Sequence, residues 1–281
     1  MQLPVQIHPG SAVSENESGK KISAVCKPAG IRAWSGGLLS VLAFVALAGC
    51  GGGGGPVSAA APAPLPTPTG MASQYVVRAG TWAVIGSSTA AGNGAPAGKA
   101  WVPVLGEAIK ARGVQFVNIA KPGSLTYNGL SSSTAPTPNR PAPDPSANID
   151  QALSRKPVAV LLSYPTNDIA AGYSADEVIN NLMAIRATAL AASTPVMVLS
   201  TQPRSLSDAQ RAILKEMNIS LAAKLGPCFI NVYDSLAGQD GRLLPSYDSG
   251  DGIHPNEAGH QVIASTVQSA IQGGKCIGLA Q

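Results

Sequence analysis

The strongest constraint on the fold is an alternation that begins near residue 81. Short runs of β-branched and aliphatic residues recur, each followed by a segment of helical spacing. The runs are Thr81–Gly86 (TWAVIG), Val114–Ala120 (VQFVNIA), Val158–Ser163 (VAVLLS), Val196–Ser200 (VMVLS) and Phe229–Tyr233 (FINVY). Three read as continuous apolar runs, as strands buried on both faces do. Between them the pattern predicts helices over Ala100–Arg112, Ala175–Ala192, a stretch opening at Ser207, and Asn256–Gln272. Ser174 with Glu177, and Ser207 with Gln210, stand at capping-box spacing. Val178, Leu182, Ile185 and Leu190 share one face, as do Ile213, Met217 and Leu221. On the last helix Val262, Ile263, Val267, Ala270 and Ile271 face inward, with Gly273 as the stop. Strands alternating with helices predict an α/β domain with a parallel sheet covered on both faces. Sites in such folds gather at the carboxyl ends of the strands, so function is sought directly after each run.

After the first run comes Gly86-Ser87-Ser88-Thr89. A small-residue turn into a helix presents a side chain where backbone N–H groups can stabilise a developing anion. A serine there is a candidate nucleophile, and two adjacent serines compete for the part. The second run leads to Lys121-Pro122-Gly123, where a glycine lets backbone N–H approach a ligand. The third leads to Tyr164-Pro165-Thr166-Asn167-Asp168. Asn167 offers a neutral amide suited to an oxyanion; Asp168 reads as a turn or helix cap. Late in the chain comes Asp251-Gly252-Ile253-His254-Pro255-Asn256. Imidazole is the usual base for a serine near neutral pH, and a carboxylate three residues earlier can fix its tautomer. A metal site built on Asp251, His254 and His260 lacks a further clear ligand. His260 reads as a surface or packing residue of the last helix.

In this order the four blocks resemble those of the SGNH (GDSL-type) hydrolase family, over Thr81 to Gln272. Gly86-Ser87-Ser88 stands where the family has Gly-Asp-Ser. Gly123 matches the glycine of its second block, Pro165-Thr166-Asn167-Asp168 its Gly-x-Asn-Asp, and Asp251 to His254 its Asp-x-x-His. The resemblance implies a flavodoxin-like three-layer α/β/α sandwich around a five-stranded parallel sheet, and a serine esterase that needs no metal or cofactor. Carried over, Ser88 is the nucleophile, His254 the general base and acid, and Asp251 its orienting partner. The Ser88 N–H, the Gly123 N–H and the Asn167 amide form the oxyanion hole. Spacing from Gly86 selects Ser88 over Ser87. Pro165 replaces a glycine, which fixes its φ and restrains Tyr164 to an extended form. These two departures motivate a rival reading, a catalytically silent ligand-binding lipoprotein on the same scaffold.

The segment upstream has a different character. Between Arg32 and Arg78 no residue is charged. Lys20, Lys21, Lys27 and Arg32 precede an apolar run, Leu38–Ala48, too short to span a bilayer as a mature helix but suited to a signal core. Leu47-Ala48-Gly49-Cys50 resembles a bacterial lipobox, which makes Cys50 the lipidation site. Residues 1–49 then read as a leader and 50–70 as a lipidated Gly/Ala/Pro-rich tether, flexible where glycine dominates and extended where proline does. Residues 71–281 remain as the hydrolase domain. The implied location is the cell envelope, anchored to a membrane on its periplasmic or surface side.

Cys228 and Cys276 fall in that exported domain, where disulfides persist. A bridge is the favoured pairing and two buried thiols the alternative. The long Ser/Thr/Pro/Asn-rich segment Ser124–Ala147 reads either as a substrate-facing rim or as a mobile surface loop. The net charge of +4 is weak and scattered, which argues against a nucleic-acid partner. The expected partners are a small ester, acylated glycan or lipid as substrate, and a membrane through the anchor, with the domain acting as a monomer.

Overall fold

A computed structural model of the chain describes residues 73–164 and 166–280. The leader, Cys50, the tether and Pro165 lie outside the described residues. The five apolar runs form one parallel sheet from β2 (Gly80–Gly86), β3 (Val114–Asn118), β4 (Ala159–Ser163), β5 (Val196–Leu199) and β6 (Phe229–Ile230), in the order β3-β2-β4-β5-β6. Trp82 pairs with Ala159 and Val84 with Leu161 in register, so inward residues of neighbouring strands line up.

Alternation along each strand sends side chains to opposite faces. Trp82, Val84, Leu161 and Met197 pack beneath α2 (Trp101–Ile109) and α8 (Glu257–Gly273). Ala83, Ile85, Val160, Leu162 and Val198 pack beneath α4 (Ile149–Ser154), α6 (Ala175–Ala191) and α7 (Asp208–Leu225). The result is the expected three-layer sandwich. Both capping boxes form: Ser174 with Glu177 opens α6, and Ser207 with Gln210 opens α7. The last helix stops one residue later than expected, because Gly274 (φ +64°) rather than Gly273 takes the left-handed position.

Two runs are shorter as strands by two or more residues than their sequence suggests, and side chains explain both. Asn118 ends β3 by accepting from the Ala120 N–H and donating to the Ala90 carbonyl. Past Ile230, the Ser200 hydroxyl takes the N–H groups of Val232 and Tyr233, which removes them from the ladder. A second, two-stranded parallel sheet joins β1 (Tyr75–Val77) to β7 (Ile277–Leu279). Sequence patterning missed it, because three-residue strands have too little period to register. Cys228 and Cys276 are bridged, with Cα atoms 4.8 Å apart. The bridge ties the residue before β6 to the residue before β7.

The segment Ser124–Ala147 packs against the domain at its two ends. It holds a short helix, α3 (Thr126–Gly129), and buries Ser124, Thr126, Tyr127, Leu130 and Ala147. Lys121 pairs with Asp144 at 2.7 Å, and Arg140 pairs with Glu177 at 2.6 Å while lying 4.1 Å above the Tyr173 ring. Asp168, expected as a cap, is instead 2 % exposed and accepts from the Thr126 N–H and hydroxyl. Burial raises its carboxyl above the usual range, against the Thr126 hydrogen bonds, which lower it.

Candidate active site

Ser88 opens a one-turn helix, α1 (Ser88–Ala91), directly after β2. The turn is tight for a steric reason. A Cβ on Gly86 would fall 2.1 Å from the Ser163 carbonyl oxygen, so only glycine lets β2 and β4 converge there. Ser87 points into the interior, 1 % exposed, its hydroxyl without a partner among the described residues. The histidine addresses its neighbour: His254 Nε2 lies 2.9 Å from Ser88 Oγ.

His254 sits on the connection between β6 and α8, a chain of local hydrogen bonds. Asp251 Oδ2 lies 2.6 Å from His254 Nδ1, and Asp251 Oδ1 accepts from the N–H groups of Ile253 and His254 at 2.8 Å each. Burial opposes the Asp251 charge. The His254 N–H, the His254 ring and the Ile253 N–H outweigh it and hold the carboxyl well below the usual range. Asp248 supports the turn from behind by accepting from Gly250 and Gly252. Asn256 caps α8 through the Gly259 N–H. Gly94 lets the turn after α1 close on this loop: at φ +93°, a Cβ there would meet the Pro255 carbonyl at 2.2 Å.

Gly123 and Asn167 lie at the same end of the sheet, after β3 and β4. Asn167 Nδ2 donates to the Ser124 carbonyl at 3.0 Å, which stitches the two blocks together and leaves its second amide hydrogen free of that bond. Gly123 holds φ +80°. No described residue accepts from the Ser88 or Gly123 backbone N–H.

Two residues that patterning did not single out complete the surroundings. Gln202, 2 % exposed, follows β5; it accepts from the Thr89 hydroxyl and donates to the Ile253 carbonyl, both at 2.6 Å. It joins the residue after Ser88 to the residue before His254. Arg204 donates to Asn167 Oδ1 at 3.1 Å and to Thr166 Oγ1 at 3.3 Å. Burial pushes its guanidinium down, against the pull of Asp251. The available signal was their place at the carboxyl end of a buried strand. His260 is buried rather than exposed. Its Nδ1 accepts from the Trp101 N–H at 3.2 Å and its Nε2 donates to the Asn93 carbonyl at 2.9 Å. With both ring nitrogens engaged, it serves as a neutral packing residue and has no lone pair left for a metal.

A serine, an imidazole and a carboxylate in hydrogen-bonded series, at the carboxyl edge of a parallel sheet in this order, define a hydrolase-type protein of the flavodoxin-like architecture. The sequence matches the GDSL-like Lipase/Acylhydrolase family over residues 84–262, and the chain belongs to that family. Among solved structures it is similar to TesA, at 20% identity and TM-score 0.55, over 69% of this chain and 99% of that one. The psychrotrophic esterase EstA from Pseudoalteromonas sp., in a structure inhibited by monoethylphosphonate, is similar at 17% identity and TM-score 0.52, over 68% and 96%. A member of the lipolytic protein G-D-S-L family from Veillonella parvula DSM 2008 is similar at 21% and TM-score 0.50, over 68% and 98%. At such identities the likeness is one of fold. No curated protein sequence matches the chain.

Proposed function

We propose that the chain is a serine esterase that cleaves an O-acetyl or short acyl ester. One observation carries the reading: Ser88 Oγ is 2.9 Å from His254 Nε2 while His254 Nδ1 is 2.6 Å from Asp251. Asp251, held ionised, accepts Nδ1–H and so leaves Nε2 as the lone-pair nitrogen facing the hydroxyl. His254 takes the Ser88 proton as Ser88 Oγ bonds to the acyl carbon. Charge gathers on the former carbonyl oxygen, where the Ser88 N–H, the Gly123 N–H and the Asn167 amide donate to it. His254 then returns the proton to the departing alkoxide. Water repeats the sequence on the acyl-enzyme, releasing the acid and restoring Ser88. Losing one such donor typically costs about 10²–10³ in turnover. Substrates that fit are acylated glycans and lipid esters.

A fluorophosphonate probe tests the assignment. Mass spectrometry is expected to find the adduct on Ser88, and Ser88→Ala to abolish both labelling and hydrolysis of a p-nitrophenyl ester. Absence of an adduct together with absence of hydrolysis would leave the silent binding protein as the better reading. An adduct on Ser87 would move the nucleophile and nothing else.

The same proposal places the enzyme outside the cytoplasm, lipidated at Cys50. The signal-like run before Cys50 and the Cys228–Cys276 bridge support export. Among the described residues no helix is long and apolar enough to cross a membrane. Cys50→Ala is expected to stop incorporation of labelled fatty acid and to release the protein from membranes. Membrane association that persists without the cysteine would refute the anchor.

A further inference from the structure

The end of the sheet at which the strands begin carries connections of one charge sign. The connections that enter β2, β3, β4, β5 and β6, and the one that enters β7, contain no aspartate or glutamate. On or beside them stand Arg78, Arg112, Arg155, Lys156, Lys224 and Lys275, all exposed. Among the described residues none of these six has a carboxylate within ion-pair distance. At the opposite end charge is mixed: the connections leaving β3 and β6 carry Asp144, Asp234, Asp240, Asp248 and Asp251 together with Lys121, Arg140 and Arg242, and the one leaving β5 carries Arg204. An open cleft of about 500 Å³ lies in the cationic end, with Arg78 and Lys156 on its wall and Ser193 and Thr194 beside them. Cations next to hydroxyl donors suit a phosphate group.

The upstream chain joins the domain at this same end. Gln74 donates its N–H to the Lys275 carbonyl at 3.1 Å, and Tyr75 to that of Cys276 at 2.8 Å. The lipid anchor proposed at Cys50 would therefore pull on the domain from this end.

We propose that this end is a docking surface for an anionic phospholipid bilayer. Clustered Lys and Arg side chains are attracted to anionic headgroups over roughly a Debye length. Docked in this way, the domain turns the carboxyl end of its sheet away from the bilayer. Ser88 then faces substrate in the surrounding space, not the lipid beneath; this consequence rests on the proposed esterase reading, whereas the docking itself does not.

The test uses the exported chain with Cys50→Ala, so that no acyl chain contributes, and co-sedimentation with vesicles. Binding to mixed phosphatidylglycerol/phosphatidylcholine vesicles is expected at low salt, falling steeply as salt rises, with little binding to phosphatidylcholine alone. Reversal at three positions together (Arg78→Glu, Lys156→Glu, Lys275→Glu) is expected to weaken binding at least about tenfold. The charge-conserving set (Arg78→Lys, Lys156→Arg, Lys275→Arg) is expected to keep it. Hydrolysis of a soluble ester and the thermal melt report that the variants are folded. Equal binding to neutral and anionic vesicles, salt-independent binding, or unchanged binding by a folded reversal variant would overturn the docking surface. Absence of ester hydrolysis in every variant would strike the esterase reading and leave the vesicle result standing.

Discussion

Gln202 touches neither the serine hydroxyl nor the imidazole, yet it bridges the residues next to each. Its amide spans from Thr89, one residue past the nucleophile, to Ile253, one residue before the base, through two 2.6 Å hydrogen bonds. Both partners are short-range neighbours of groups that must stay about 3 Å apart for proton transfer. Gln202→Ala removes the clamp and leaves a buried hydroxyl and carbonyl without it. Its expected effect is a fall in kcat of about 10–100-fold with KM little changed, since misplacement by about 1 Å can cost that much. Gln202→Glu can still accept from Thr89 but cannot donate to Ile253, so the acid should recover only part of the loss. Steady-state kinetics on a soluble ester separate this from a purely structural role, in which a lower melting temperature would come with unchanged kcat. Ser87 is the complementary case. It occupies the usual aspartate position, buried and facing away from His254, so a second hydroxyl beside Ser88 need not compete for the base.

At the scale of elements, the last helix carries its own pH dependence. His260 on α8 is buried between α2 and the turn after α1. Desolvation lowers its pKa from 6.5, assisted by the nearby His254 and opposed by the Asn93 carbonyl. Because the folded value is depressed, the unfolded chain binds the proton first as pH falls through about 6.5, and stability declines from there downward. The slope from this one group is at most about 1.4 kcal/mol per pH unit. Urea denaturation at neutral and at mildly acidic pH should show that decline, and His260→Gln should flatten it; an unchanged slope in the variant would dismiss the histidine as its source. Glu177 works at a lower pH. The Arg140 guanidinium, with help from the Ser174 N–H, holds it at about 2. The stability it lends is present above its ordinary range near 4.5 and is lost only as pH falls toward 2. That one carboxylate both caps α6 and anchors the segment Ser124–Ala147 through Arg140. It explains why a stretch of loop-like composition packs as part of the domain.

Across the whole molecule, chemistry and cohesion sit at opposite ends of the sheet. The serine, histidine and amide groups occupy the carboxyl ends of the strands. The Cys228–Cys276 bridge and the β1–β7 pair close the other end. The bridge spans a sequence separation of 48 residues, for which the chain-entropy model assigns roughly 4 kcal/mol. Reduction, or Cys276→Ser, should therefore lower the melting temperature substantially while leaving ester hydrolysis nearly intact well below the new melt. Activity lost in step with the disulfide at low temperature would contradict this division.

The fold was written in the sequence because its signal is local and repeated. Val158–Ser163 and Val196–Ser200 are apolar on both faces, and only a strand sandwiched between helices buries both. Capping boxes marked the starts of α6 and α7 for the same local reason. The site was legible as a set of candidates, since Ser88, Gly123, Asn167, Asp251 and His254 each follow a strand or precede the last helix. Tertiary structure decided their relations. Ser88 rather than Ser87 faces His254 because the β2–β4 convergence at Gly86 aims one side chain out and its neighbour in. Gln202 and Arg204 drew no attention in the sequence, for their partners lie tens of residues away in other loops. Asp168 reads as a cap by its neighbours in sequence but is buried against Thr126 by its neighbours in space. The gathering of unpaired cations at one end of the sheet is likewise invisible in a net of +4. A linear chain mixes residues that a parallel sheet sorts, by sending every strand entry to one end and every exit to the other.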